Sequence, residues 1–189
     1  MSPLETPTSV DEIFALFALN GTKNYGEGVD MTTHAIQTAV FAQRAGASDA
    51  LVAASLLHDV GHLMADLQGT ERFDLEVDDD DHEALGGRVL SPIFGPRVAQ
   101  PVALHVTAKR WRCTVEPSYH DGLSPTSQAT LKAQGGLLNS EEVARFEAHP
   151  GFDDAVALRT YDDLGKDPDM ETPSLESFRP LLEQLAASR

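Results

Sequence analysis

The chain has 189 residues, 41% hydrophobic and 23% charged, with a formal net charge of −16. That length supports one substantial core and is too short for two comfortable domains. The acidic balance argues against nucleic acid and against an anionic membrane surface, which need a basic footprint, but not against a small anion held by a few local cations.

A single cysteine, Cys113, excludes an internal disulfide framework and fits a reducing compartment. No apolar run reaches the roughly 18 residues of a membrane helix, and "MSPLETPTSVDEIF" lacks the basic and apolar regions of a signal peptide. A cytoplasmic location is expected.

Helical patterns run along the chain. "SVDEIFALFALNG" reads as an amphipathic helix with Ser9 or Asp11 near its start and Gly21 past its end. "HAIQTAVFAQRAG" stops at Gly46. "SDALVAASLLHDVGHL" reads as one helix capped by Ser48, with Leu51, Ala54, Ser55 and His58 on one face. A polar loop over 65–81 ends in the run Asp78 to Asp81, which reads as a solvated cap for "HEALGGRVLSPIF". Further helices are expected in "RVAQPVALHVTAKRW", "SPTSQATLKAQGG" with its Ser-Pro start, and "NSEEVARFEAHPG" with a cap at Ser140. "GFDDAVALRTYDDLGK" and "SLESFRPLLEQLAAS" follow, joined by "DPDMETP". No alternating strand or repeat stands out. The expectation is all-α, a single domain over 1–189, with its core in 25–166 and a C-terminal helix over 174–187 packed on it.

The stretch "SLLHDVGHL" sets His58, Asp59 and His62 among leucines and a valine, where unpaired polar groups are costly. Their partners have to come from elsewhere. His34 precedes His58 by 24 residues, Asp59 precedes His82 by 23, and His82 precedes His105 by 23. Each interval is about one helix, a loop and half of the next helix, so short connections bring these residues to one level of a bundle. Asp162 follows on a later helix. Neighbours on a helix diverge by about 100°, so His58 and Asp59 reach one ion from two angles, or the aspartate bridges two. Imidazole with carboxylate suits iron, manganese or zinc better than calcium or magnesium. One ion is satisfied by His34, His58, Asp59 and Asp162; His82 and His105 imply a second. His62 is assigned a role other than ligation, as an orienting or substrate-contacting group. His120 in a loop and His149 beside Pro150 are assigned to the surface. Trp111 and Cys113 are assigned to packing.

This pattern resembles the HD-domain superfamily of helical metalloproteins, whose H…HD…D signature matches His34, His58, Asp59 and Asp162. The chain is more similar to the small mixed-valent diiron oxygenases of that superfamily, which act on 1-hydroxy-2-aminoethylphosphonate or its trimethylammonium counterpart. The similarity runs through "YGEGV", "FAQRAGASDALVAASLLHDVGHL", "HEALGGRVL", "HVTAKRW", "LSPTSQATLKAQGG" and "FEAHPGFDDAVALRTYDDLGK", from Tyr25 to Lys166. It departs in "VDMTTH", where relatives carry a glutamine and a glutamate, and in the spacing of Tyr25. The resemblance implies a six-ligand set of His34, His58, Asp59, His82, His105 and Asp162 around an Fe(II)/Fe(III) pair. It also implies O2 as co-substrate and carbon–phosphorus cleavage to phosphate and glycine or glycine betaine.

Other residues fit such a substrate. Lys109, one turn after His105, is a point-charge partner for a phosphonate, with Ser127 and Thr130 offering hydroxyls and helix N-terminal amides and Gln134 assisting. Tyr25, Glu27 and Asp30 are candidates for the amine end, and Tyr25 is also expected to close over the iron, as in relatives. Two alternatives share the core pattern: a metal-dependent phosphohydrolase of a nucleotide or phosphomonoester, and a ligand-sensing module without catalysis. No nucleic-acid or membrane partner is expected, and the protein is a monomer or homodimer.

Overall fold

The computed structural model describes residues 6–23, 28–65 and 81–188. Its regular elements are helices, as expected: eleven α-helices, one 3-10 turn and no strand among the described residues. α1 (Val10–Asn20) is capped by Ser9, whose side chain accepts from the Glu12 amide. α2 (Met31–Arg44) is capped by Asp30, which accepts from the Thr33 amide at 2.7 Å. Ser48 caps α3 (Asp49–Leu57). Such caps are worth about 1 kcal/mol each.

The single helix expected through "SLLHDVGHL" is two. α3 stops at Leu57, His58 and Asp59 form a turn, and α4 (Val60–Ala65) follows. The apolar spacing carries across the break, so periodicity did not reveal it. α4 then packs on α5 (His82–Phe94), so closely that a Cβ on Gly61 would lie 2.0 Å from the carbonyl oxygen of His82. Only glycine fits there. Gly87 does the same for α5 against α6 (Pro96–Val115): its Cβ would meet the Ala103 Cβ at 2.7 Å. Asp81 sits at the start of α5 with φ 49° and makes no side-chain cap bond, contrary to the capping expected of the acidic run, whose other members lie outside the described residues.

α7 (Pro117–Asp121) is a short helix in a segment expected to be loop, and it carries His120. α8 (Pro125–Ala133) is capped by Ser124, and α9 (Ser140–Glu147) by Asn139 in a capping box with Glu142, one residue before the expected Ser140. α10 (Phe152–Leu164), a 3-10 turn (Leu175–Phe178) and α11 (Arg179–Ala187) complete the chain.

The core is continuous from α1 to α11, with Ile13, Leu16, Leu56, Leu57, Leu90, Leu158 and Leu182 almost wholly excluded from solvent. α2, α3, α6 and α10 pack against one another, and α5 lies along α6. The inward faces of these helices carry polar residues at one level of the bundle, where His34, His58, Asp59, His82, His105 and Asp162 are all buried. No helix among the described residues is long and apolar enough to cross a membrane.

Candidate metal centre

Four helices and one turn deliver six side chains to a common point. α2 supplies His34, the α3–α4 turn His58 and Asp59, the start of α5 His82, the middle of α6 His105, and the last turn of α10 Asp162. Both members of the pair at the turn are buried.

Three of the four rings are held from behind by backbone carbonyls. His34 Nδ1 donates to the Gly165 carbonyl at 2.8 Å, His58 Nδ1 to that of Ser55 at 2.9 Å, and His105 Nδ1 to that of Val102 at 2.7 Å. A carbonyl only accepts, so the proton is on Nδ1 and each Nε2 turns a lone pair inward. His34 and His58 then meet Nε2 to Nε2 at 3.1 Å, and so do His82 and His105. Lone pairs that close repel unless a proton or a metal ion lies between them.

Asp59 stands between the two pairs. Its Oδ2 is 3.2 Å from His58 Nε2 and 3.7 Å from His34 Nε2. Its Oδ1 is 3.7 Å from both His82 Nε2 and His105 Nε2. Both oxygens are buried without a hydrogen-bond partner, a costly state for a carboxylate in a protein interior. Asp162 Oδ1 joins the first pair, 3.3 Å from His34 Nε2 and 3.9 Å from His58 Nε2. Two clusters of nitrogen and oxygen donors sharing one carboxylate form a setting suited to metal ions. The donor set fits divalent metals of the iron-to-zinc range.

Without a metal ion, protons take up part of the cluster's charge. Burial disfavours imidazolium at His58, but the Asp59 and Asp162 carboxylates outweigh it and raise His58 to about 9. Burial also opposes the Asp59 charge, yet His58 beside it holds the carboxyl well below its usual range. Asp162 is likewise held low, against burial, mainly by Arg159. His105, buried and facing His82 and His58, is pushed down to about 3 and stays a neutral donor of electrons.

His62 is half-buried and stacks on His82, with ring centroids 3.7 Å apart and 18° between planes. Atoms of His62, His82 and Asp59 come within 4.8 Å of one another, so it edges the second cluster rather than standing apart. His149 is half-buried beside α10, its Nδ1 accepting from the Gly151 amide, and His120 sits next to Asp121 away from the cluster.

One turn beyond His105, Lys109 is only 3% exposed. Its Nζ donates to Thr130 Oγ1 at 2.6 Å and Gln134 Oε1 at 3.1 Å, so these expected neighbours do converge. Burial, with Arg159 nearby, lowers Lys109 to about 7. Ser127 is buried beside them and receives a bond from Lys166 Nζ at 3.4 Å. The Ser127 amide is taken by the Ser124 cap, so the hydroxyls are the groups this helix offers. Ser127 and Lys166 line an open pocket of about 370 Å³ with Tyr119 and Asp163. Tyr25 and Glu27 lie outside the described residues, and Asp30 is engaged as the α2 cap. Trp111 packs on Phe146 and Phe152, and Cys113 is buried.

Sequence reasoning missed Arg159 and Lys166. Arg159 is buried, and its Nη1 donates to Asp162 Oδ2 at 2.7 Å. In "ALRTYDDLGK" it reads as one charge of an ordinary helix surface, and only its spacing of three from Asp162 hinted otherwise.

Comparison with known proteins identifies the family. The chain is 38% identical over 169 residues to the hydroxymethylphosphonate dioxygenase of Gimesia maris, covering 89% of this chain and 84% of that protein. It is 36% identical over 186 residues to the glycine-betaine-forming [1-hydroxy-2-(trimethylamino)ethyl]phosphonate dioxygenase of Leisingera caerulea, covering 98% and 94%. The chain belongs to this family of HD-domain phosphonate dioxygenases. An uncharacterised protein of Acanthamoeba polyphaga mimivirus is 30% identical over 176 residues, or 92% of this chain and 80% of that one. No protein-family model matches. The two dioxygenases share a phosphonate with a hydroxyl on the adjacent carbon and differ in what else that carbon bears.

Proposed function

We propose that the protein is a diiron oxygenase that uses O2 to cleave the carbon–phosphorus bond of a 1-hydroxyphosphonate, giving phosphate and the carboxylate derived from C1. The observation that carries this is Asp59 with one unpartnered oxygen toward each pair of facing imidazoles, in a chain of this family. His34, His58, Asp59 and Asp162 would hold one ion, and His82, His105 and Asp59 the other. An Fe(II)/Fe(III) pair held there would supply oxygen activation and Lewis acidity.

The chain's own residues do the rest. Lys109, which bonds Thr130 and Gln134, would receive the phosphonate with Ser127, and Lys166 would add a second cation at the pocket edge. Burial strengthens the attraction of an ammonium for a dianion relative to water. Carbonyl bonds to His34, His58 and His105 fix which nitrogen of each ring faces the ions. His62, flat against His82, would limit access on that side and present a ring to the substrate. A protein of this kind is a cytoplasmic small-molecule enzyme with no need of nucleic acid or membrane.

The test supplies purified, iron-loaded protein with hydroxymethylphosphonate, 2-amino-1-hydroxyethylphosphonate and its trimethylammonium analogue in turn. Oxygen uptake matched one-to-one by phosphate release from at least one of them is expected. Phosphate released equally well without O2, or no uptake with all three despite two bound irons, would refute it.

A further inference from the structure

The two carboxylates of the cluster are treated differently. Asp59 keeps both oxygens without hydrogen-bond partners. Asp162 does not: Arg159 Nη1 holds its Oδ2 at 2.7 Å, leaving Oδ1 to face His34 and His58. A carboxylate with two available oxygens can chelate one ion or bridge two. With one oxygen locked it offers a single donor atom, and a weaker one, because the guanidinium draws charge away from it.

The lock is itself fixed. Arg159 Nε donates to the Tyr119 hydroxyl at 2.9 Å, and Nη2 donates to Asp163 Oδ1. The Tyr119 hydroxyl donates to Asp163 Oδ2 at 2.7 Å. Arg112 lies 3.9 Å over the Tyr119 ring and reaches Asp163 Oδ2 at 3.3 Å. The guanidinium is thus held on three sides, and its plane is set by α7 as well as by α10. A plain stabilising role explains this poorly, since a buried ion pair seldom outperforms an apolar filling of equal shape.

We propose that Arg159 is a positioning residue that commits Asp162 to presenting one oxygen to the His34–His58 pair, and that Tyr119 links this setting to α7. The inference rests on the reading above only in taking Asp162 as a metal ligand. Its consequence is an open ligand position at that ion, which a chelating Asp162 would fill. Tyr119 and Asp163 also line the 370 Å³ pocket, so whatever enters it touches the same network.

The test uses cobalt(II)-loaded protein, whose visible bands weaken as coordination number rises. Arg159→Met removes every donor while keeping bulk; its bands should weaken relative to wild type, with Arg159→Lys falling between. Tyr119→Phe should move the spectrum the same way by less. Iron-loaded Arg159→Met should have a lower midpoint potential, because an unlocked carboxylate favours the ferric ion. Folded Arg159→Met with the wild-type spectrum and potential would overturn the proposal. Should Arg159→Met fail to fold, wild-type spectra from both Arg159→Lys and Tyr119→Phe would overturn it equally. Wild-type protein that takes up no cobalt would remove the ligand reading, and the inference with it; uptake with unchanged variants would remove the inference alone.

Discussion

Lys109→Met should stabilise the protein while disabling it. The folded structure holds this amine almost wholly out of solvent and lowers it from 10.5 to about 7. At 1.36 kcal/mol per unit, keeping it charged costs about 5 kcal/mol relative to the unfolded chain. Methionine is of similar length and carries no charge, so that cost disappears. Against it, Thr130 Oγ1 and Gln134 Oε1 lose their donor, at about 1 kcal/mol each. The net gain is about 2–3 kcal/mol, or roughly 5–10 °C in Tm for a chain of this size. The sign sets the window. A lysine whose folded value lies below its unfolded one is penalised fully below the folded value and not at all above the unfolded one. The gap between variant and wild type should therefore be complete below pH 7 and close between pH 7 and 10.5. Thermal melts across that range, with metal content held fixed, measure it, and phosphate release should fall by at least a hundredfold. A variant that melts below wild type at pH 6.5, or a gap that does not change with pH, would refute the reasoning.

Sulfate is a dianion throughout this range, so its competition with substrate reports the charge on Lys109. Its inhibition constant should be flat below pH 7 and weaken by up to tenfold per unit above it in wild type, and should show no such bend in Lys109→Met. Asp59→Asn keeps the shape of the shared carboxylate but not its charge; metal analysis should find fewer than two ions per chain and oxygen uptake should be lost. Gly61→Ala would drive a Cβ into the His82 carbonyl, and α4 and α5 would have to separate. A loss of about 3 kcal/mol in stability is expected, with the ion held by His82 and His105 released at lower chelator concentration than the other; equal release of both ions would count against this.

Much of the site could be read from the chain because its residues conflict with their surroundings. An aspartate and four histidines inside apolar stripes have no comfortable place except beside one another, and short helix-loop intervals left one level at which to meet. The break at His58 and Asp59 escaped detection because Leu51, Ala54 and Ser55 before it and Val60 and Leu63 after it keep a helical spacing, and the turn has neither proline nor glycine at its centre. Arg159 was invisible for the opposite reason. An arginine three residues before an aspartate is unremarkable on a helix, and only the packing of α10 against α2 and α6 shows that this pair is buried. The Asn139 cap was displaced by one residue from Ser140 because either side chain satisfies the local pattern and the backbone chooses. Lys109 was legible from its turn spacing to His105, whereas Lys166 reaches Ser127 only through the fold.

Anomalous diffraction at the iron edge from iron-loaded crystals tests the central claim most directly. Two peaks are expected, one among His34, His58, Asp162 and Asp59 Oδ2, the other among His82, His105 and Asp59 Oδ1. A single peak with iron in excess, or two that do not share Asp59, would contradict it.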